Sequence, residues 1–271
     1  MHTMHTMQTL TTGTKASAGK AATPLHPRPH LRDVSWNSSG CASCALHALC
    51  VPGGLSDADL MLVHDFIGIR RRIKRGAILW ETGNPLHALY AVRTGFLKTF
   101  ITTGDGQVQV TGFQMAGEVV GLDAIATGRH TTTTVALEDT EVCPIPFDAL
   151  ETLMDRVPAL QRQFFRMMSQ EIVREQDNMA LLGTMRAEQR LANFLLRLSA
   201  LYHKRGYSAT EFVLRMTREE LGNYLGLKLE TVSRLLSKMQ QDGLINVESK
   251  IVKLLDVCGL RALSGREEQK A

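Results

Sequence analysis

Cys41, Cys44 and Cys50 place three thiols within ten residues, in the spacing Cys-x2-Cys-x5-Cys, and a fourth follows at Cys143, directly before Pro144. Thiolate is the soft ligand that both iron–sulfur clusters and zinc prefer, so four thiols in this arrangement can hold either. A dithiol–disulfide switch without metal is the remaining option. Cys258 fits none of the spacing and reads as a plain core thiol. His47 lies among the thiols and reads as a neighbour rather than a ligand.

A second set of residues could read nucleic acid. Thr217, with Glu220 three residues on, forms a capping box at the start of a helix whose apolar side is Leu221 and Leu225. Gly226 breaks that helix, and another runs from about Leu229 to Gln241, ended by Gly243. Two helices joined by a tight glycine turn form a helix-turn-helix. On the second, Leu229, Val232, Leu235, Leu236 and Met239 make a buried stripe, while Glu230, Ser233, Arg234 and Ser237 share another face at i, i+3, i+4 and i+7. Arg can fork onto guanine, Glu can accept from cytosine, and Ser can bond either way. Residues early in such a helix are the ones that reach base edges. Arg218, Lys228 and Lys238 are candidate phosphate contacts. Charge agrees: from Arg186 to Ala271 there are 15 Lys and Arg against 10 Asp and Glu, whereas the preceding 185 residues hold 16 against 17. Phosphate attraction needs a positive excess at the reader.

These residues must be positioned by about two domains, the number that 271 residues suggest. Met1 to about Arg32 is low complexity, with His2, His5, His26 and His30, and reads as a loose tail. Ser56 caps a helix that ends near Gly68. From Ile73 to about Cys143, short apolar runs punctuated by glycine predict a small antiparallel sandwich or barrel, with a hairpin at Thr103–Gly106. A long helix begins near Pro158 and runs to about Leu182, and another spans Ala187–His203. On the long helix, Phe165, Met168, Ile172, Glu175 and Met179 are spaced 3, 4, 3 and 4, the rhythm of a coiled-coil seam. A seam Glu175 would meet its symmetry mate, and like charges there weaken pairing. Leu244–Val247 and Ile251–Leu255 form a wing around Ser249-Lys250, and Ser264–Ala271 read as frayed. No apolar run is long enough for a membrane span, the N-terminal residues lack an apolar h-region with a small-residue cleavage site so secretion is not expected, and five cysteines then fit a reducing cytoplasm.

The segments Leu221-Gly222-Asn223-Tyr224-Leu225-Gly226-Leu227 and Glu230-Thr231-Val232-Ser233-Arg234-Leu235-Leu236 closely resemble the cyclic-AMP receptor protein superfamily. Together with the cysteine spacing, they resemble its fumarate and nitrate reductase regulator (FNR) branch, over roughly Cys41 to Leu255. The resemblance implies an α+β fold: a disordered tail (1–35), an antiparallel β-roll, jelly-roll-like sensor (36–155), a dimerisation helix (156–185) and a C-terminal winged helix-turn-helix (186–271). It implies a [4Fe–4S] cluster on Cys41, Cys44, Cys50 and Cys143, labile to oxygen. It makes Glu230, Ser233 and Arg234 the base readers of a TTGAT-N4-ATCAA type palindrome. It implies a homodimer that regulates transcription without catalysis and touches RNA polymerase near the 103–106 turn. Lys228 departs from the pattern, standing where a capping Thr is usual, at a cost of about 1 kcal/mol of capping.

Gly117-Glu118-Val119-Val120-Gly121-Leu122 resembles part of a cyclic-nucleotide phosphate cassette. The Arg-Ser or Arg-Thr pair that should follow is replaced around Thr131–Thr134, and Arg129 lies too early, so no cyclic nucleotide is expected. A regulator of the same fold answering haem, nitric oxide or nucleotide is the near alternative. An iron–sulfur electron carrier is the far one, disfavoured because no P-loop or dinucleotide motif is present.

Overall fold

Alternating burial lays the middle of the chain out as short strands. In the computed structural model, which describes residues 41, 44–51, 53–66 and 69–265, two four-stranded antiparallel sheets form a β-roll. One has the order β1 (Arg71–Ile73), β8 (Thr140–Pro146), β3 (Ala88–Thr94), β6 (Val119–Val120). The other has the order β2 (Ile78–Trp80), β7 (Thr133–Ala136), β4 (Phe96–Thr102), β5 (Val108–Met115). Ile73, Leu79, Trp80, Val92, Leu97, Val120, Ala136 and Val142, drawn from both sheets, fill the space between them.

The two apolar runs on either side of Gly95 do not pair with each other; β3 and β4 belong to different sheets. Gly95 makes the crossing at φ 94°, and a Cβ there would lie 2.7 Å from the Thr140 Cα. Only glycine takes both that backbone angle and that approach. The hairpin at Thr103–Gly106 does form: Thr103 N–H donates to the Gln107 carbonyl at 2.9 Å, and the turn is exposed.

The outer face of the first sheet is covered by helices. Leu89, Ala91 and Ile145 meet Leu150 and Leu153 of α2 (Phe147–Arg156), Val157 at the joint, and Leu160 and Phe164 of α3 (Pro158–Thr184). Val63 of α1 (Asp57–Phe66) and Val51, next to the last loop cysteine, join this cluster. Ser56 caps α1 as expected, its hydroxyl accepting from the Asp59 N–H at 3.2 Å. Pro158 occupies the first turn of α3, where its missing N–H leaves no intrahelical bond unmade.

A third cluster belongs to the C-terminal part: α4 (Ala187–His203), β9 (Glu211–Val213), α5 (Arg218–Leu225), α6 (Leu229–Gln241), the wing β10 (Ile245–Glu248) with β11 (Ile251–Leu254), and α7 (Val257–Ser264). Cys258 is exposed, not a core thiol. Along α7 the buried positions are Leu260 and Ser264, one helical turn apart, and Cys258 lies two residues before Leu260, on the opposite side. Leu229 likewise departs from its stripe, 43% exposed at the first position of α6, while Val232, Leu235, Leu236 and Met239 are buried. The described residues lie in one compact unit, Ser39–Ala271. Among them no helix is long and apolar enough to cross a membrane. The tail with its histidines, the His47 side chain, the end of the first helix near Gly68 and residues 266–271 fall outside the described residues.

Candidate cysteine site and nucleic-acid interface

The cysteine loop is tightly turned. Cys44 N–H reaches the Cys41 carbonyl at 3.2 Å, Leu49 N–H the Leu46 carbonyl at 3.0 Å, and Gly53 N–H the Cys50 carbonyl at 2.9 Å. Cys143 comes from β8, in register with Ala91 of β3, on the helix-covered face of the first sheet. Cys50 and Cys143 pack on the same apolar cluster.

The fold therefore gathers thiols 93 positions apart in the chain. Burial, followed by the charges of Cys143 and Cys44, pushes the Cys41 thiol up to about 11. Burial also pushes Cys50 up to about 12, with Cys143, Cys41 and Cys44 adding to it against a hydrogen bond from Val51. Cys143 is pushed up to about 11, burial first, with Arg93 opposing and Cys44 and Glu141 adding. Cys41 and Cys50 feel the charges of Cys143 and Cys44, and Cys143 feels that of Cys44. Without a cation, burial and the neighbouring thiols keep Cys41, Cys50 and Cys143 protonated; ligation by a cation would supply the positive charge that reverses this. Among the described residues no three His, Cys, Asp or Glu side chains are grouped tightly enough for a single metal ion. A single zinc draws its sulfurs to about 2.3 Å from one centre; a multi-iron core spreads its thiolates over a wider frame. Four thiolates are a donor set that zinc and an iron–sulfur core both accept.

The cassette-like segment is occupied by the chain itself. Asp123 Oδ2 accepts from the N–H groups of Thr131 (2.8 Å) and Thr132 (3.0 Å) and from the hydroxyls of Thr132 (2.8 Å) and Thr131 (3.3 Å). Its Oδ1 lies 3.2 Å from Nδ1 of His130, which stacks on Trp80 at 4.3 Å. Arg129 donates to the Gly83 carbonyl at 2.8 Å. The donors that an anionic ligand would use already serve a carboxylate. Glu118 of the same segment turns towards Arg174 of α3 and Arg205, just beyond α4.

The helix-turn-helix is built by local rules. Thr217 Oγ1 accepts from the Glu220 N–H at 3.1 Å, and Glu220 accepts from the Thr217 N–H at 2.8 Å, the expected capping box. Gly226 ends α5 in the left-handed region at φ 63°. Gly222 allows the close turn, since a Cβ there would meet the Leu227 carbonyl oxygen at 2.7 Å. Lys228 precedes α6 without any side-chain cap. Glu230, Arg234 and Ser237 are exposed on one side of α6, and Ser233 is half-buried, accepting from Arg218 Nη1 at 3.3 Å. Lys228 is exposed; Lys238 is held by Glu188 at 2.7 Å. A groove between α6 and the wing is lined by Arg218, Ser237, Gln240, Gln241 and Val247. Gln240 and Gln241 went unread in the sequence, because uncharged side chains leave no pattern until the wing folds against them.

On α3, Phe165, Ile172 and Met179 are 61%, 55% and 65% exposed, and Met168 is half-buried. Glu175 is partly exposed and lies 3.6 Å from Arg174 of its own helix, a partner its spacing did not reveal.

Residues 189–263 match the Crp-like helix-turn-helix domain, and residues 70–157 match the cyclic nucleotide-binding domain. The chain is 47% identical over 234 residues to the transcriptional regulatory protein btr of Bordetella pertussis, covering 86% of this chain and 97% of that protein. It is 44% identical to the transcriptional activator protein anr of Pseudomonas aeruginosa, over 83% of this chain and 92% of that protein. It is 41% identical to the fumarate and nitrate reduction regulatory protein of Salmonella typhimurium, over 86% and 95% of the two chains. Among solved structures, FixK2 of Bradyrhizobium japonicum is similar with a TM-score of 0.68 at 28% identity, over 74% of this chain and 98% of that one.

Proposed function

The chain belongs to the Crp/FNR family of transcription regulators, DNA-binding proteins that act as dimers rather than enzymes, and we propose that it is an anaerobic, oxygen-responsive regulator whose sensor is an iron–sulfur centre. In this reading Cys41, Cys44, Cys50 and Cys143 hold a [4Fe–4S] cluster, which supplies an oxygen-labile link between the cysteine loop and β8. The observation that carries it is the packing of Cys50 and Cys143 on one apolar cluster, with Cys41, Cys50 and Cys143 all pushed up by burial first and by neighbouring thiols second. The names of the anaerobic regulators among its relatives support it.

The chain's own residues do the rest. Phe165, Met168, Ile172 and Met179 close a seam with a second copy, and Glu175 opposes closure by meeting its mate. The loop, tied to β8, sets the sensor so that the seam closes despite Glu175. Two copies then present Glu230, Ser233, Arg234 and Ser237 to the halves of a TTGAT-N4-ATCAA type palindrome, about one helical turn (roughly 34 Å) apart, with Arg218, Lys228 and Lys238 on phosphates. Lys238 must exchange Glu188 for a phosphate to do so. The exposed 103–106 turn is the surface for RNA polymerase. Asp123, by occupying the donors of Thr131 and Thr132, supports a sensor that takes no cyclic nucleotide.

Iron and sulfide analysis of oxygen-free protein, with operator binding before and after air, tests this reading. About four of each per chain, with binding lost as they are lost, is the expected result; a metal-poor preparation that binds fully sinks it. Glu175→Ala is expected to give dimers in air. Arg174 then keeps Glu171 and Glu118 as partners, so the helix retains its internal pairing. Sedimentation showing an aerobic monomer would remove Glu175 from the seam.

A further inference from the structure

The cysteine loop does more than approach β8. Leu49, one residue before Cys50, rests on the turn between β5 and β6. A Cβ on Gly117 would lie 3.0 Å from Leu49 Cβ and 3.9 Å from Arg205 Nη2, so the loop, the turn and the residue just beyond α4 meet at a position without a side chain. Gly117 also has φ 90°, which fixes the turn in a form that other residues rarely take.

The next residue is Glu118. Its Oε2 accepts from the Met115 N–H at 2.7 Å, which fixes the carboxylate to the turn. From there it faces two cations on two different elements: Arg174 Nη1 of α3 at 3.6 Å and Arg205 Nη2 at 3.7 Å. These side chains are only 20%, 18% and 3% exposed, so the pairs are screened little by solvent. Arg205 also donates from Nε to the Ala116 carbonyl and from Nη1 to the Leu201 carbonyl at 2.7 Å. Arg174 also pairs with Glu171, and with Glu175 at 3.6 Å. Sensor turn, dimer helix and reading domain thus share one carboxylate.

Resting on the reading that the cysteine loop is the sensor, we propose that Leu49, Gly117 and Glu118 relay the loop's position to α3 through Arg174 and to the reading domain through Arg205. If Leu49 leaves Gly117, the turn loses its support and Glu118 draws back. Arg174 then retains Glu171 and Glu175 and alters how much of the Glu175 charge faces the seam. Arg205 retains the Ala116 and Leu201 carbonyls and loses Glu118, its acidic partner in this cluster. One displacement therefore reaches both the seam and the reader, the two parts that must change together.

Hydrogen–deuterium exchange on the full chain tests the relay without needing iron or oxygen. Leu49→Ala is expected to speed exchange in the loop and also at residues 171–179 and 201–206; a change confined to the loop overturns the relay. Glu118→Gln, which keeps the Met115 bond, is expected to speed exchange at both distant segments, and Arg174→Gln at 171–179 only; if neither does so, the relay is overturned. Anaerobic iron content separates the two readings: an iron-free wild type refutes the cluster while the exchange pattern still decides the relay. In iron-loaded protein, Glu118→Gln should leave iron at the wild-type level. It should shrink the ratio of anaerobic to aerobic operator affinity by a factor between about 5 and 150, the range of ordinary coupling between sites. An unchanged ratio at unchanged iron overturns the relay.

Discussion

Cys143→Ala is expected to take anaerobically purified protein from about four irons per chain to nearly none, and to weaken operator binding by about 10²- to 10⁴-fold as the tethered second reader is lost. Cys143 is the one cysteine of the four that stands outside the loop, on β8 between buried Val142 and Pro144. Without it the loop thiols would lose the proposed inorganic tie to the sheet. The fold itself should survive, because Cys to Ala removes a single half-buried sulfur and costs about 1 kcal/mol, a typical point-mutant effect. Unchanged thermal unfolding together with lost iron therefore assigns the effect to ligation. Cys258→Ala, on the exposed side of α7, is the matched control and should change neither reading. Iron that stays at the wild-type level in Cys143→Ala would refute the fourth-ligand assignment.

Arg234→Ala is expected to cost about 1–3 kcal/mol of operator binding and to level discrimination at one base pair in each half-site. Arg234 is exposed one turn after Glu230, on the side of α6 away from Val232, Leu235 and Leu236, so its removal leaves the packing of the reading domain unaltered. Lys228→Ala should behave differently. It should weaken all sequences alike and lower the salt dependence by about one unit, as loss of one phosphate contact does. Anisotropy titrations on single-base operator variants, each at two salt concentrations, separate the two. An Arg234→Ala protein that weakens uniformly and keeps its base preferences would remove Arg234 from the readers.

Local elements were legible because local physics makes them. The Ser56 cap, the Thr217–Glu220 box, the bounds of α4 and the left-handed Gly226 follow from residues three or four apart, whose spacing is a short-range steric and hydrogen-bonding fact. The buried stripe of α6 was legible for the same reason, except at Leu229, where a helix has begun but its packing partner has not.

The cysteine spacing determined the donor chemistry, and the face of α6 determined what could read bases; both reside in residue type and period, which the chain carries unfolded. What the tertiary structure decided was company. It put Cys143 on the cluster that holds Cys50, gave Asp123 the amides of Thr131 and Thr132, turned Cys258 outward, and set Glu118 between Arg174 and Arg205. Cys143 reaches its place through the register of β8 on β3, and Glu118 meets Arg174 and Arg205 only once the roll packs on the helices; such pairings are fixed by packing between elements distant in the chain, which no local spacing encodes.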